Sequence, residues 1–264
     1  MIAILNQIPT SAKINKQIRK IRFGKNLCCP RCRSRRVSRS EERYRCAVCR
    51  KPFTLLTGTW LEGMKLDTRT WYALLWCWTQ RIPVLQTHTL CHVSEVSLYY
   101  WFRQFRLHLP QLEPILAGKV QMDEAYFKHI SLLLAKQVGS RNLAHAVILK
   151  DSVNQSEALQ FVFQSVAPHT RLQTDGAAIY KTVDHWWQVD HRVNIHKKFE
   201  FDLTSEIEGM FGNLRTFIRR MYHHTSPQYL PEYVSEFCVR FSSPEIFDSP
   251  LSYLEKTLTT VPLA

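Results

Sequence analysis

Apolar residues recur every three or four positions through TRTWYALLWCWTQRI, residues 68–82, where Trp71, Leu74, Leu75 and Trp78 fall on one side of a helix. Asp67 or Thr68 caps its start and Pro83 ends it. The following VLQTHTLCHVSEVSLYYWFRQFRLHL predicts a short helix, a turn near His92 and a longer helix capped by Ser94, which is helix-turn-helix spacing. Arg103 and Arg106, near the end of that second helix, are placed to meet DNA phosphates, although a plain three-helix packing module has the same pattern. Cys77 and Cys91 show no pairing geometry in this reading and count as buried apolar residues. LPQLEPILAG, residues 109–118, carries prolines and a glycine and reads as a linker.

From Lys119 the pattern changes. KVQMDEAYF and LAHAVILKD read as strands, SEALQFVFQSVA as a helix, and TRLQTDGAAIY as a strand running into a turn. That order predicts an α/β domain with a mixed sheet flanked by helices. Asp123 and Asp175 interrupt otherwise apolar strand patterns, where a carboxylate is costly unless paired or metal-bound. Each has a plain structural reading: Asp175 precedes Gly176 and suits a turn, while Asp123 beside Glu124 suits an exposed strand position. The helix TSEIEGMFGNLRTFIRRMYHH has an apolar face of Ile207, Phe211, Leu214, Ile218 and Met221. Its polar face carries Glu208, Gly212, Arg215 and Arg219, and Ser205-x-x-Glu208 also fits a capping box. Taken together, two strand-borne aspartates, a helix-borne glutamate and an arginine two turns later suit phosphoryl transfer by two Mg²⁺ or Mn²⁺ ions. Arg215 and Arg219 would face the scissile strand.

Charge adds a partner to this picture. Of 264 residues, 45% are hydrophobic, enough for one large or several small cores, and the formal charge is +13. Residues 1–60 hold fifteen basic and two acidic residues, and the rest of the chain holds twenty of each, so the excess is N-terminal. A dense basic segment attracts polyanions through counterion release, the alternative being a solvated arm. Within it, CPRCRSRRVSRSEERYRCAVCRKPF sets two C-x-x-C pairs across a short gap, and Cys29, Cys32, Cys46 and Cys49 are the expected ligands of a closed structural zinc site. Cys28 would lengthen the knuckle by one residue and is left out. A mostly charged segment of this size has no core of its own, so metal supplies its folding energy and presents Arg31, Arg33, Arg35 and Arg36 to DNA. The N-terminus lacks a signal-peptide pattern and no apolar run approaches a bilayer span, so a cytoplasmic location without a membrane role is expected.

CPRC and CAVC, FTLLTGTWLEGMKL, MDEAYF, QTDGAAIY, IEGMFGNLR and YHHTSPQYLPEYVSEFCVRFS together resemble the zinc-ribbon DDE transposases of bacterial insertion sequences, the ISXO-like group, from Leu27 to Phe241. The resemblance implies an RNase H-like catalytic fold that cuts DNA at the ends of its element and joins them to target DNA. It also implies that Asp123 in MDEAYF, Asp175 in QTDG and Glu208 in IEG are the three acids. Arg215 stands where the family commonly has a lysine, and FKHISLLLAKQVGSRNLAH lacks the Gly- and Lys-rich insertion expected after the first strand. His196 in VNIHKK resembles a family histidine that precedes the third acid, and a surface residue is the plainer reading. The expected organisation is a basic segment over 1–26, a zinc ribbon over 27–56, a helical DNA-binding module and linker over 57–118, a catalytic domain over 119–248 and a tail over 249–264. A homo-oligomer on double-stranded DNA, comprising terminal repeats and target, is expected. The competing readings are a zinc-ribbon regulator or inactive relic that binds DNA without catalysis, and a nuclease that cuts without joining.

Overall fold

The computed structural model describes residues 8–40, 43–127, 129–193, 205–223 and 225–259. The chain divides into two compact units, one of residues 1–110 with 245–264 and one of residues 111–244.

The first unit opens with a helix that sequence patterning did not foresee, α1 (Ser11–Phe23). Thr10 caps it by accepting from the Lys13 amide at 3.4 Å, and Gly24, at φ 59°, ends it in the left-handed region that glycine tolerates. Ile14 and Ile18 are buried one turn apart, while Lys13, Lys16, Arg19 and Lys20 face outward. A three-stranded antiparallel ribbon follows, β1 (Val37–Ser40), β2 (Arg43–Cys46) and β3 (Pro52–Phe53), in the order β1-β2-β3. Among the described residues its core is Cys29, Cys46 and Phe53 with half-buried neighbours, too little apolar area to hold a fold unaided.

Three helices come next, α2 (Thr68–Thr79), α3 (Val84–Cys91) and α4 (Glu95–Leu107). Asp67 caps α2 by accepting from the amides of Arg69 and Thr70, both at 3.0 Å, and Ser94 caps α4 through Ser97 at 3.4 Å. His92 turns the chain between α3 and α4 with a positive φ of 53°.

Three expectations change in this unit. Arg106, expected at phosphates, is buried with Leu98, Phe102 and Phe105 on the inner face of α4, whereas Arg103 is exposed. Cys77 and Cys91, read as unrelated, bring their sulfurs to 3.9 Å because α2 and α3 pack side by side. Part of the segment expected as a tail is a helix, Pro250–Thr257, whose buried Tyr253 donates to the Phe105 carbonyl at 2.9 Å and packs edge-on against Trp78.

The second unit contains β4 (Lys119–Phe127), β5 (Ile130–Gln137), β6 (Leu143–Ile148), α5 (Gln155–Ser165), β7 (Arg171–Thr174), α6 (Val183–Trp186), β8 (Asp190–Val193), α7 (Ser205–Tyr222) and α8 (Leu230–Ser242). The sheet order is β6-β5-β4-β7-β8. Strands β4, β5 and β6 run antiparallel in succession, and β7 and β8 run parallel to β4. This mixed sheet flanked by helices has RNase H-like architecture. One face packs Val120, Met122, Leu133 and Ala135 against Phe161 and Val162 of α5. The other packs Ala125, Leu132 and Leu134 against Ile207, Met210, Phe211 and Leu214 of α7 and Val234 and Phe237 of α8. Covered on both faces, β5, ISLLLAKQ, is buried from Ile130 to Lys136 and carries the apolar stretch Leu132–Ala135, without the alternation that marks a half-exposed strand.

Helix α7 is fixed at both ends. The buried Gln121 side-chain carbonyl accepts from the amides of Glu206 and Ile207, at 3.0 and 3.1 Å, satisfying donors that an α-helix leaves unpaired in its first turn. Beside it, the buried Lys136, paired with Gln121 across β4 and β5, forms an ion pair with Glu206. At the far end Tyr222 donates to Glu236 at 2.7 Å, and Arg240 donates to the same carboxylate at 2.8 Å, all buried. Among the described residues no helix is long and apolar enough to cross a membrane.

Candidate functional site

The parallel pairing of β4 and β7 brings the two aspartates together. Gln121 lies opposite Gln173, and continuing that register by two residues sets Asp123 beside Asp175, just past the end of β7. Carboxylate oxygens of Asp123, Glu124 and Asp175 lie within 4.8 Å of one another, all from half-buried residues. Asp123 lies on the strand face that packs on α7, and Glu124 on the face toward α5, where the buried Tyr180 hydroxyl donates to it. Tyr126 also donates to Glu124, at 3.4 Å. Asp175 accepts from the Ala177 amide at 3.0 Å, so its turn-forming role is real, but one carboxylate oxygen suffices for it.

Glu208 lies outside this compact trio, exposed in the first turn of α7, yet its charge reaches Asp123. Burial first, then the negative charges of Glu124, Asp175 and Glu208, push the Asp123 carboxyl up to about 7 against the opposing hydrogen bond from the Glu124 amide. Burial and the charge of Asp175 likewise raise Glu124 despite the Tyr180 hydroxyl. Repulsion of this kind is what a divalent cation relieves, and carboxylate oxygens are the donors that hard cations such as Mg²⁺ take. The donor set fits a divalent metal.

Arg215, two turns beyond Glu208, is exposed with its guanidinium 5.6 Å from the centre of the Phe127 ring, at the end of β4. Arg219 is exposed one turn further on. Sequence patterning passed over Glu124, Gln121 and Lys136. A buried glutamine and a buried lysine in strands are rare enough to signal a partner, and here each is committed to the start of α7.

The Asp123 shift has a measurable consequence. Its folded pKa, about 7, lies above the ordinary value of 3.8, so its stabilising contribution is full below pH 3.8 and is lost as pH rises through 7. Asp123→Asn removes that cost. Above pH 7 the metal-free variant should therefore be more stable than wild type, by on the order of 2–4 kcal/mol, with the difference vanishing near pH 4. Mg²⁺ should raise the melting temperature of wild type more than that of the variant. Thermal melts across pH, with and without Mg²⁺, check this; a variant less stable than wild type at pH 8 in the absence of metal contradicts it.

In the first unit Cys29, Cys32, Cys46 and Cys49 bring their sulfurs within 4.8 Å of one another. The separations of 3.7 Å for Cys29 to Cys49 and 3.5 Å for Cys32 to Cys46 rule out disulfides. They match the edge of about 3.8 Å that four Zn–S bonds of about 2.3 Å give a tetrahedron. The close thiols shift in opposite directions: the Cys49 backbone amide holds Cys46 down to about 6, while Cys32, against the Ser34 backbone hydrogen bond, is pushed up to about 11 by burial and the neighbouring sulfurs. Cys28 is buried outside the quartet. The quartet fits a zinc ribbon. Around it Arg33, Arg35 and Arg36 are exposed, while Arg31 approaches Glu62 at 4.0 Å. His196 lies outside the described residues.

Residues 128–242 match the model of the ISXO2-like transposase domain, a span that includes Asp175 and Glu208 but begins after Asp123. No curated protein matches the chain. Among solved structures, the chain is similar to one in the simian T-cell lymphotropic virus intasome bound to the PP2A regulatory subunit B56 gamma, at 13% identity and a TM-score of 0.38, covering 73% of this chain and 78% of that one. It is also similar to the catalytic core domain of BIV integrase, at 12% identity and a TM-score of 0.35, covering 47% and 82%. The HTLV-2 integrase catalytic core domain in complex with magnesium gives 12% identity and a TM-score of 0.35, covering 49% and 88%. Over residues 128–242, less than half of its length, the chain is similar to the ISXO2-like transposase domain, and its mixed sheet and the cysteine quartet that fits a zinc ribbon accompany that similarity.

Proposed function

We propose that this chain is a DNA transposase that cuts strands at the ends of an insertion sequence and joins them to target DNA, with Asp123, Asp175 and Glu208 as its catalytic acids. The observation that carries the reading is the meeting of Asp123 and Asp175 at the ends of two parallel strands, with the charge of Glu208 felt at Asp123. Two Mg²⁺ or Mn²⁺ ions, when bound, supply Lewis acidity to the attacking and leaving oxygens.

The residues of the chain do the holding and orienting. Asp123 and Asp175 offer negative donors from a rigid sheet, and Gln121 and Lys136 keep the first turn of α7 in place so that Glu208 addresses the same site. Glu124, oriented by Tyr180, adds a further negative charge. Gly212, one turn after Glu208 on the same face, costs a helix interior stability relative to alanine, and a side chain there would meet no neighbour. It leaves the Glu208 face of α7 low and open to a DNA strand. Arg215 and Arg219 present positive charge along that face, and the Phe127 ring steadies Arg215.

In cleavage, water forms a bond to phosphorus as the bond to the 3′ oxygen breaks, leaving a 3′ hydroxyl. In joining, that hydroxyl attacks a target phosphodiester and displaces the target's own 3′ oxygen. One phosphodiester replaces another, so joining needs no external energy source. Two element ends must be processed together, which favours a homo-oligomer on DNA. The test is incubation of wild-type protein and Mg²⁺ with DNA carrying both ends of its element, followed by mapping of the products. Transposition requires nicks with free 3′ hydroxyls and strands joined to target. Nicks alone would reduce the reading to a nuclease, and neither product would leave a regulator or relic.

A further inference from the structure

Strand β4 ends in two aromatic rings, and neighbouring strand residues point to opposite faces of a sheet. Phe127 is half-buried and lies 5.6 Å from the Arg215 guanidinium. Tyr126, on the other face, leaves 51% of its surface open. An exposed tyrosine by itself signals nothing, and what sets this one apart is where its hydroxyl goes. It donates to one Glu124 oxygen at 3.4 Å, while the other accepts from the buried Tyr180. Because Glu124 lies within the acid trio, the Tyr126 ring is held beside Asp123 and Asp175 with half its surface facing solvent.

The backbone both opens this corner and fixes it. Strand β4 pairs with β7 only over Lys119–Gln121, so Glu124 and Tyr126 run past the end of that neighbour. On the other edge Tyr126 stands opposite Ser131 of β5, whose buried hydroxyl donates to the Lys150 carbonyl at 2.8 Å. A regular strand thus places the ring, as a binding group of set geometry requires. Its chemistry suits the corner too. A lysine or arginine here would pair with the acids and compete with a cation, and another carboxylate would add repulsion. A neutral flat ring offers contact area without either effect.

We propose that the Tyr126 ring is a stacking platform for an unpaired base, that of a nucleotide next to the scissile phosphate. The inference rests on the transposase reading above and deepens it: the strand to be cut leaves the double helix at the acid site. Unpairing and unstacking a base costs free energy, and an aromatic partner for the freed base offsets that cost. Every base has a π face, so such a platform accepts any sequence. Tyr126 therefore acts on how an end is opened and leaves the choice of end to other elements.

The test pairs Tyr126 variants of the full-length protein with element-end duplexes that are intact or lack the base on one or the other side of the scissile phosphate. Cleavage efficiency, kcat/KM with Mg²⁺, is read for each combination. Tyr126→Ala should lose about five- to a hundredfold on the intact end. On one of the two abasic duplexes the same substitution should cost less than about twofold, because the base that stacked is already gone. Tyr126→Phe keeps the ring and should recover efficiency to within about threefold of wild type. The rise in melting temperature on adding Mg²⁺ without DNA should be the same in Tyr126→Ala as in wild type. Equal losses on the intact and both abasic duplexes, or a smaller Mg²⁺ response, would make the ring a prop of the acid site and overturn the platform. Unchanged cleavage of the intact end by Tyr126→Ala would overturn it as well, leaving the transposase reading in place. Failure of the wild type to cut element-end DNA would overturn the platform together with that reading.

Discussion

Asp123→Asn and Asp175→Asn should each lower Mg²⁺-dependent cleavage of element-end DNA by about a thousandfold or more, while duplex binding stays within about twofold. The amide is chosen because it preserves shape and the local hydrogen bonds. Asp175 accepts from the Ala177 amide and Asp123 from the Glu124 amide, and an asparagine oxygen accepts both bonds as well. If Asp175 merely started a turn, its amide variant would keep both fold and activity. Loss of activity with the turn intact therefore isolates the charge. Retention of cleavage in a folded Asp175→Asn protein would remove the second acid from the account.

Zinc removal should have the largest effect on structure. The four cysteines converge in a ribbon with a core of three buried residues, and a structural zinc held by four thiolates would contribute about 10–16 kcal/mol of apparent folding free energy. Cys46→Ser, or a strong chelator, should unfold the ribbon and weaken DNA binding strongly. The sheet of residues 119–193 lies in the other compact unit and should keep its own melting transition. Metal analysis should give about one zinc per chain in the wild type and loss of it in the variant. A metal-free protein with an ordered ribbon and unchanged DNA affinity would contradict the assignment.

What the sequence made legible follows from which signals are local. The cysteine quartet was readable because C-x-x-C spacing nearly dictates its own geometry, and Asp67 and Ser94 were readable because capping is a local hydrogen bond. Strand β5 was not, since burial on both faces erases alternation. Helix α1 was hidden by its charge: Ile14 and Ile18 are its only fully buried aliphatic residues among many cations. The burial of Arg106 and the approach of Cys77 to Cys91 depend on how α2, α3 and α4 pack, which no local pattern specifies. Glu124 carries no sequence signal of its own, because adjacent strand residues point to opposite faces. At the end of the parallel β4–β7 pair, both still reach Asp175.

The central claim is that Glu208 completes an acid site with Asp123 and Asp175, and the most direct measurement is strand cleavage by Glu208→Gln beside Glu206→Gln. The two glutamates differ in commitment: Glu206 is turned to the buried Lys136, whereas Glu208 is exposed and its charge is felt at Asp123. If Glu208 instead served a capping box, its amide would cost about 0.5–2 kcal/mol of stability and leave the chemistry intact. The account predicts a folded Glu208→Gln protein that binds DNA and does not cut it, and a Glu206→Gln protein that loses some stability and still cuts. A folded Glu208→Gln protein with near-normal Mg²⁺-dependent cleavage would contradict it.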